Sequence, residues 1–555
     1  MFQLTRSSFL RSAAAGVAPL SDAPVRRLVE SFVFGMLVLI ACGAPSLAQT
    51  PGGVLRNGSS GLPSLGDNLE LSASAERRIG DRIAASIYRD HDYIDDPMLA
   101  DYMQTIWQPL LAAARARGEL NAELDERFSW ELFLLRDRSI NAFALPGGYL
   151  GVHLGLIGAV TSRDELAAVL GHELSHITQR HISRLITQQS RMTPWLMGAM
   201  ILGMLAASKN PNAAEAAIVG GQAVAAQSQL NFSRDMEREA DRVGFGVMTD
   251  AGFDSSGVST MFEKLQQASR INDNGSFPYL RSHPLTTQRI AEARARVQLA
   301  SQEAAPARAT AAETAEARIL QAMMAARARV LADPGVDALR AMVAEAQRQP
   351  RRPQGMSLQN ATGDVRSAGA WYAGALAAAK QRDFTLARGF TEPLKSLFPE
   401  TASIAQAAAL LAIEIDLMAG VVPADAAQMN IASTTSRAAL LIQARALLAA
   451  GKPQEVADRM LTWVTAHPKD APAWQQLALA YGNLNQNVRA IRADAEGRVA
   501  QLDYIGALDR FRAAQNMIRS NPRSADFMEG SIIDTRTRQL ALLVKEQALQ
   551  EKLDR

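Results

Sequence analysis

The sequence predicts a mainly α chain in two folded parts: an α+β domain holding one small β-sheet, then an all-α domain of helical repeats. Three observations carry this expectation. The length of 555 residues exceeds what one ordinary hydrophobic core accommodates. Strand-like runs are confined to residues 128–152. Beyond about residue 310 the pattern is almost wholly helical, with large and small residues recurring in fixed order.

Composition narrows the class. Hydrophobic residues make up 48% and charged residues 21%, as in globular domains, whereas several membrane spans would show several apolar runs of about 18 or more residues. A formal net charge of +2 gives no bulk field to attract nucleic acid, and no nucleic-acid partner is expected. Cys42 is the one cysteine, so any metal in the folded part must be held by histidine and carboxylate.

Cys42 closes an apolar run, residues 32–42, preceded by Arg26 and Arg27 and followed by Ser46-Leu47-Ala48-Gln49. That order of basic flank, short apolar core and small-residue cleavage site predicts a signal peptide over residues 1–48. Leu39-Ile40-Ala41-Cys42 also resembles a bacterial lipobox, so two processing readings stand: cleavage after Ala48, or lipidation of Cys42 with peripheral membrane association. An uncleaved anchor is a third, though the run is short for a span. Either processing route exports the chain, and the expected parts are residues 49–310 and 311–555.

Within the first part, Gly, Ser, Pro and Asn dominate residues 50–67, and helical periodicity begins near Leu69. Residues 76–88 read as an amphipathic helix, and Asp96-Pro97 caps and opens another through residue 111. Residues 128–135 and 142–152 read as strands, with Pro146-Gly147-Gly148 breaking the second. A helix is expected over 164–185 and a capped helix over 233–241. Between them, the Met-rich apolar stretch 195–207 and its neighbour 213–226 are too short to span a bilayer and read as packed core, a lid or a client-facing surface. Residues 300–317, rich in Ala and Glu, read as a linker or solvated helix.

In the second part, Trp371, Ala375, Ala387 and Pro399 fall at the Trp, small-residue, Ala and closing-Pro positions of a tetratricopeptide repeat. Pro468 and Trp474 mark later junctions at multiples of about 34 residues. Tyr504, Ala507, Phe511 and Ala514 continue the register after a stretched segment between Asn485 and Asp503. A plain helical bundle is the alternative.

The chemistry is concentrated in His172-Glu173-Leu174-Ser175-His176. Histidines four apart share one helix face and can bind one zinc ion, while Glu173 is placed to take a proton from an activated water and pass it to a leaving amine. The apolar run 166–170 puts this motif on a buried helix. A third ligand is needed. His181, five residues past His176, projects nearly opposite on a continuous helix and reads as a surface residue. Glu237 and Asp241, one turn apart on the helix opened by Ser233, are better candidates, and Glu239 faces elsewhere.

Three motifs now stand together: Asn141-Ala142-Phe143-Ala144-Leu145-Pro146-Gly147-Gly148, Gly171 through His176, and Ser233-Arg234 through Glu237 to Asp241. They resemble the zinc peptidase family that includes HtpX and the CAAX prenyl endopeptidases. The resemblance implies a zincin-like fold, one Zn2+ per chain on His172, His176 and Glu237, Glu173 as general base, and Asp241 orienting a ligand imidazole. HtpX and the prenyl endopeptidases carry multiple spans and this chain shows none beyond its signal, so a periplasmic subgroup with a tetratricopeptide tail fits better. Its clients are misassembled outer-membrane proteins and their assembly machinery.

Two further readings concern the same site. Residues 141–152 offer a strand edge that could hold an extended peptide, with Asn141, Ala142, Phe143, Pro146, Gly147 and Gly148 as its contact residues and an ordinary hairpin turn as the alternative. Pro284 keeps His283 extended so that its ring can project, and members of the subgroup carry a His-Pro here, which implies a removable fourth ligand; a helix-cap histidine is the alternative, because a helix is expected from Thr287. The expected function is a periplasmic zinc endopeptidase acting on protein or peptide substrates, with partners recruited by the repeats. The alternative is a chaperone or adaptor for outer-membrane protein assembly with a latent protease site.

Overall fold

The computed structural model describes residues 71–188, 233–271, 279–302, 311–350, 361–397, 401–423, 436–520 and 527–553. The expected signal peptide with Cys42, the stretches 195–207 and 213–226, and Pro399 lie outside them.

Capping side chains fix where the first helices begin. Ser72 accepts from the Ala75 N–H at 3.2 Å to open α1 (Ala73–Tyr88). Strand β1 (Tyr93–Ile94) follows, and Asp96 then accepts from the Leu99 N–H at 2.9 Å to open α2 (Pro97–Ala116), with Pro97 in the first turn. After the short α3 (Ala122–Arg127) come β2 (Glu131–Leu135), β3 (Ala142–Leu145) and β4 (Tyr149–His153). The sheet order is β1-β2-β4-β3. Strands β2 and β4 run parallel, and the other two pairings are antiparallel. Central β4 is buried along its whole length, and β1 and β3 are the two edge strands among the described residues.

The β3–β4 turn depends on glycine. Gly147 and Gly148 have φ of +77° and +87°, in the left-handed region that glycine enters without strain. Nothing larger fits: a Cβ at Gly148 would lie 2.7 Å from Phe128 Cβ, and one at Gly147 would lie 2.9 Å from Arg77 Cα.

Helix α4 (Leu154–Ala159) leads into α5 (Arg163–Thr178), which Ser162 caps. The single helix expected over 164–185 is two. Helix α5 stops at Thr178, Arg180 takes φ of +53°, and α6 (His181–Gln188) starts afresh. That conformation is uncommon for a residue with a Cβ. It is held by bonds from the Arg180 guanidinium to Glu76 Oε2 at 3.1 Å, to Ser183 Oγ at 3.2 Å and to the Leu71 carbonyl.

Helix α7 (Arg234–Asp250), capped by Ser233, crosses α5 where Gly171 and Gly244 face each other. Helices α8 (Ser256–Ile271), α9 (Tyr279–Ser282) and α10 (Thr287–Gln302) complete this part. Then follow α11 (Ala311–Leu331), α12 (Val336–Arg348), α13 (Ala361–Lys380), α14 (Phe384–Leu397) and α15 (Ala402–Met418). Three helix pairs begin at Arg437, Ala471 and Tyr504: α16 (Arg437–Ala449) with α17 (Pro453–Ala466), α18 (Ala471–Asn483) with α19 (Asn487–Ala500), and α20 (Tyr504–Ser520) with α21 (Phe527–Leu553). The segment expected to be stretched is the ordinary helix α19, set between left-handed turns at Asn485 and Leu502. No helix among the described residues is long and apolar enough to cross a membrane.

The hydrophobic core does not break near residue 310. One continuous cluster runs from Leu99 and Trp107 of α2 through Leu170 of α5 to Met323 of α11, Trp371 of α13 and Leu411 of α15. Arg327, fully buried on α11, donates to both oxygens of Asp96 at the cap of α2, at 2.7 and 2.5 Å, and to Glu414 of α15. Smaller clusters hold the pairs from α16 onward.

Candidate metal centre

Helix α5 is fixed by its apolar residues. Leu166, Leu170, Leu174 and Ile177 are all at 2% exposure or less, so the turn bearing His172 and His176 is buried with them. Helix α7 brings Glu237 against these rings, and the loop after α9 brings His283. His172, His176, Glu237 and His283 each offer one ligand atom, and these atoms lie within 4.8 Å of one another. His172 Nε2 is 3.0 Å from His176 Nε2 and 3.3 Å from His283 Nδ1. Glu237 Oε1 is 2.9 Å from His283 Nδ1 and 3.5 Å from His176 Nε2.

The outward ring nitrogens are engaged as well. Asp241 Oδ1 lies 3.0 Å from His172 Nδ1, and Arg289 donates to both Asp241 oxygens at 2.7 and 2.8 Å. Arg289 also reaches the Pro284 carbonyl at 2.9 Å, and its Nη1 is 2.7 Å from Glu237 Oε2, though out of hydrogen-bond alignment. His176 Nδ1 lies 2.7 Å from His181 Nδ1, and His181 Nε2 is 3.0 Å from Glu239 Oε2. Glu173 is fully buried; its Oε2 accepts from the Ala144 N–H of β3 at 3.0 Å, and its Oε1 has no hydrogen-bond partner among the described residues.

Electrostatics follow from this crowding. Burial alone would lower the His172 imidazole, but its bonds to Asp241 and Glu237 push it up to about 10. Burial, reinforced by the charges of His172 and His283, drives His176 down. Glu237 is held well below the carboxylate range against its burial, chiefly by His283 and His172. Burial raises Glu173, which suits a group that must take up a proton. Asp241 is lowered to about 2: burial opposes this, and the bonds from Arg289 and His172 outweigh it.

The donor set fits a divalent metal. Nitrogen ligands about 2.0–2.1 Å from a tetrahedral centre stand about 3.3 Å apart, close to the separations among these rings. Both helix histidines turn Nε2 inward, and the buried Glu237 carboxylate supplies the negative charge that a cation needs. A metal-binding imidazole characteristically has its other nitrogen bonded, as both have here.

The structure brings together His172, Glu173, His176, Glu237, Asp241 and His283. It treats the expected peptide-contact residues unequally. Asn141, Ala142 and Phe143 lie at or on the edge strand, and the buried Asn141 Oδ1 has no hydrogen-bond partner among the described residues. Pro146, Gly147 and Gly148 form the buried turn, and what approaches the glycines is α1 and residues 128–130 of the same chain. His181 is fully buried rather than on the surface, because the break at Arg180 swings it back toward His176. Glu239, read as facing elsewhere, meets it there. Arg289, a buried arginine near the start of α10, carried no sequence signal, since nothing local marks which arginine of a helix turns inward.

Residues 102–297, which contain all these groups, match peptidase family M48. The chain carries a peptidase family M48 domain. This M48 domain is a metallopeptidase, with protein or peptide as its class of substrate. The chain is similar to the beta-barrel assembly-enhancing protease of Escherichia coli K12, at 28% identity over 85% of this chain and 89% of that one. Its Yersinia pestis counterpart is 32% identical over 42% of this chain and 47% of its own length. The mitochondrial metalloendopeptidase OMA1 of Arabidopsis thaliana is 31% identical over 29% of this chain and 30% of its own.

Proposed function

We propose that the chain is a zinc endopeptidase with His172, His176 and Glu237 as ligands and Glu173 as general base. The observation that carries this reading is the convergence of three buried ligand atoms beside a carboxylate whose Oε2 is pinned by edge strand β3 and whose Oε1 makes no hydrogen bond among the described residues, with His283 Nε2 3.4 Å away. Zinc, when bound there, supplies the Lewis acidity that makes a water nucleophilic at neutral pH. With the metal bound, Glu173 Oε1 would accept the proton of the attacking water and return it to the leaving amine, while the Ala144 N–H keeps the carboxylate from rotating away. Asp241 holds His172 with Nε2 inward. An extended peptide pairs along β3 near Asn141, Ala142 and Phe143.

The setting is the periplasm, and the clients are misassembled outer-membrane proteins met with their assembly machinery; similarity to the beta-barrel assembly-enhancing proteases along most of the chain supports this. The helices from residue 311 onward act as tetratricopeptide-like repeats that recruit partners, and the starts at Arg437, Ala471 and Tyr504 suit that period. Export by residues 1–48, with lipidation of Cys42 as the other processing route, belongs to the same reading.

One observation favours the second reading, a chaperone or adaptor with a latent site. His283 stands among the ligand atoms, 3.4 Å from Glu173 Oε1 through its Nε2, where it acts as a removable fourth ligand. Glu173→Gln separates the two. As an endopeptidase, the variant keeps about one zinc per chain and loses casein cleavage by about a hundredfold or more, and a chelator abolishes cleavage by the wild type. Cleavage at the wild-type rate would overturn the role of Glu173, and cellular function that survives the substitution would favour the chaperone.

A further inference from the structure

The inner nitrogens of His172 and His176 face the same space, yet their outer nitrogens are held differently. His172 has a carboxylate, Asp241, directly on Nδ1. His176 has another imidazole, and behind it a carboxylate. The contacts run from His176 Nδ1 to His181 Nδ1 at 2.7 Å, from His181 Nε2 to Glu239 Oε2 at 3.0 Å, and from Glu239 Oε2 to Arg184 Nη2 at 2.6 Å.

We propose that His181 and Glu239 are positioning residues, a carboxylate–imidazole relay that fixes which nitrogen of His176 faces the metal; this rests on the metal site of the proposed function.

The proton count follows from the donor inventory. An ionised carboxylate only accepts, so the hydrogen between Glu239 and His181 sits on His181 Nε2. A neutral His181 then presents a lone pair at Nδ1. Two nitrogens 2.7 Å apart must be one donor and one acceptor, so His176 Nδ1 carries the hydrogen. His176 Nε2 is therefore left with its lone pair directed at His172, Glu237 and His283, the only state in which it can bind a cation. Arg184 keeps Glu239 ionised and in place, so the carboxylate neither rotates off nor draws the proton from His181.

The backbone is built for this contact. On a continuous helix His181 would project away from His176. The left-handed Arg180 turns the chain, and its bonds to Glu76 and Leu71 tie that turn to the start of α1. Ile182 and Ile186 then seat α6 against Leu71 and Ala144.

The test uses the full chain and three variants: His181→Leu, His181→Gln and Glu239→Gln. Zinc affinity is read by competition with a chromogenic chelator, and ligand geometry by the visible absorption of the cobalt(II) form. His181→Leu removes the acceptor and Glu239→Gln removes the charge that sets the proton. Both should weaken zinc by about 10–100-fold and shift the cobalt bands, with metal-free unfolding midpoints near wild type for Glu239→Gln. His181→Gln, whose amide oxygen can accept from His176 Nδ1, should recover most of the affinity; a packing role alone predicts no such rescue. Glu239, with its side chain 31% exposed, gives the variant least prone to misfold, and it decides the matter should His181→Leu not fold. Zinc affinity and cobalt spectrum both unchanged in Glu239→Gln would overturn the relay alone. A wild-type chain that bound neither zinc nor cobalt would overturn the proposed function, and the relay with it.

Discussion

Arg289 shows how much of the site rests on a residue that touches no substrate. The residue is 4% exposed, and its guanidinium holds Asp241 through two bonds, stands beside Glu237, and ties down the Pro284 carbonyl next to His283. Arg289→Ala leaves two buried carboxylates short of a counter-charge and should cost about 3–5 kcal/mol in guanidinium unfolding. Arg289→Lys should recover little, because an ammonium cannot bond both Asp241 oxygens as the planar fork does. Acid unfolding gives a second readout. Asp241 is depressed to about 2, so its stabilisation is complete above about pH 4 and is lost as pH falls towards 2. The acid limb of the stability profile should therefore be steeper in wild type than in Arg289→Ala, and equal slopes would contradict that assignment. At this scale the sequence disclosed the residues whose spacing is itself the signal, His172, Glu173 and His176. It did not disclose Arg289 or His181, whose roles arise from packing between segments far apart in the chain.

Among the elements, the crossing of α5 and α7 decides whether Glu237 reaches the histidines. Gly171 and Gly244 meet there with no side chain between them, and a Cβ on Gly244 would lie 2.9 Å from the Gly171 C and O and from the His172 N. All three are backbone atoms, which cannot rotate aside. Gly244→Ala should push the helices apart, cost about 1–3 kcal/mol in urea unfolding and weaken zinc binding by at least tenfold in chelator competition. Zinc affinity at the wild-type level would show that the ligands do not depend on this contact. Helices opened by Asp96 and Ser233 were legible because caps and prolines act locally. The division of α5 from α6 was not, since Thr178-Gln179-Arg180 contains neither glycine nor proline, and the turn is held by Glu76, about a hundred residues away in the chain. The hairpin was legible from Pro146-Gly147-Gly148. What its glycines face was not, because α1 and residues 128–130 come to them only in the folded chain.

Across the whole molecule, the helical region is continuous with the metallopeptidase part. Arg327 of α11 binds Asp96 on one side and Glu414 on the other, with Tyr372 3.3 Å away. Arg327→Ala should destabilise by about 3–5 kcal/mol. Release of zinc and loss of helical circular dichroism should then move to lower temperature together; zinc release at an unchanged temperature would mean that the two parts unfold separately. The helices expected beyond about residue 310 are present. That the core crosses this point was not legible, because periodicity shows which face is buried but not what buries it. Further along, Arg437 at the start of α16 bonds Asp95 at 2.9 Å, Asp101 accepts from Ser436 at 2.7 Å, and Leu502 packs against the hydrophobic cluster between α1 and the sheet. An arm riveted at several places along its length is a strut and not a swinging gate. A partner docking on the later helices would find no hinge to turn among the described residues; one path for its effect is stress carried through Leu502 into the sheet whose far edge grips Glu173.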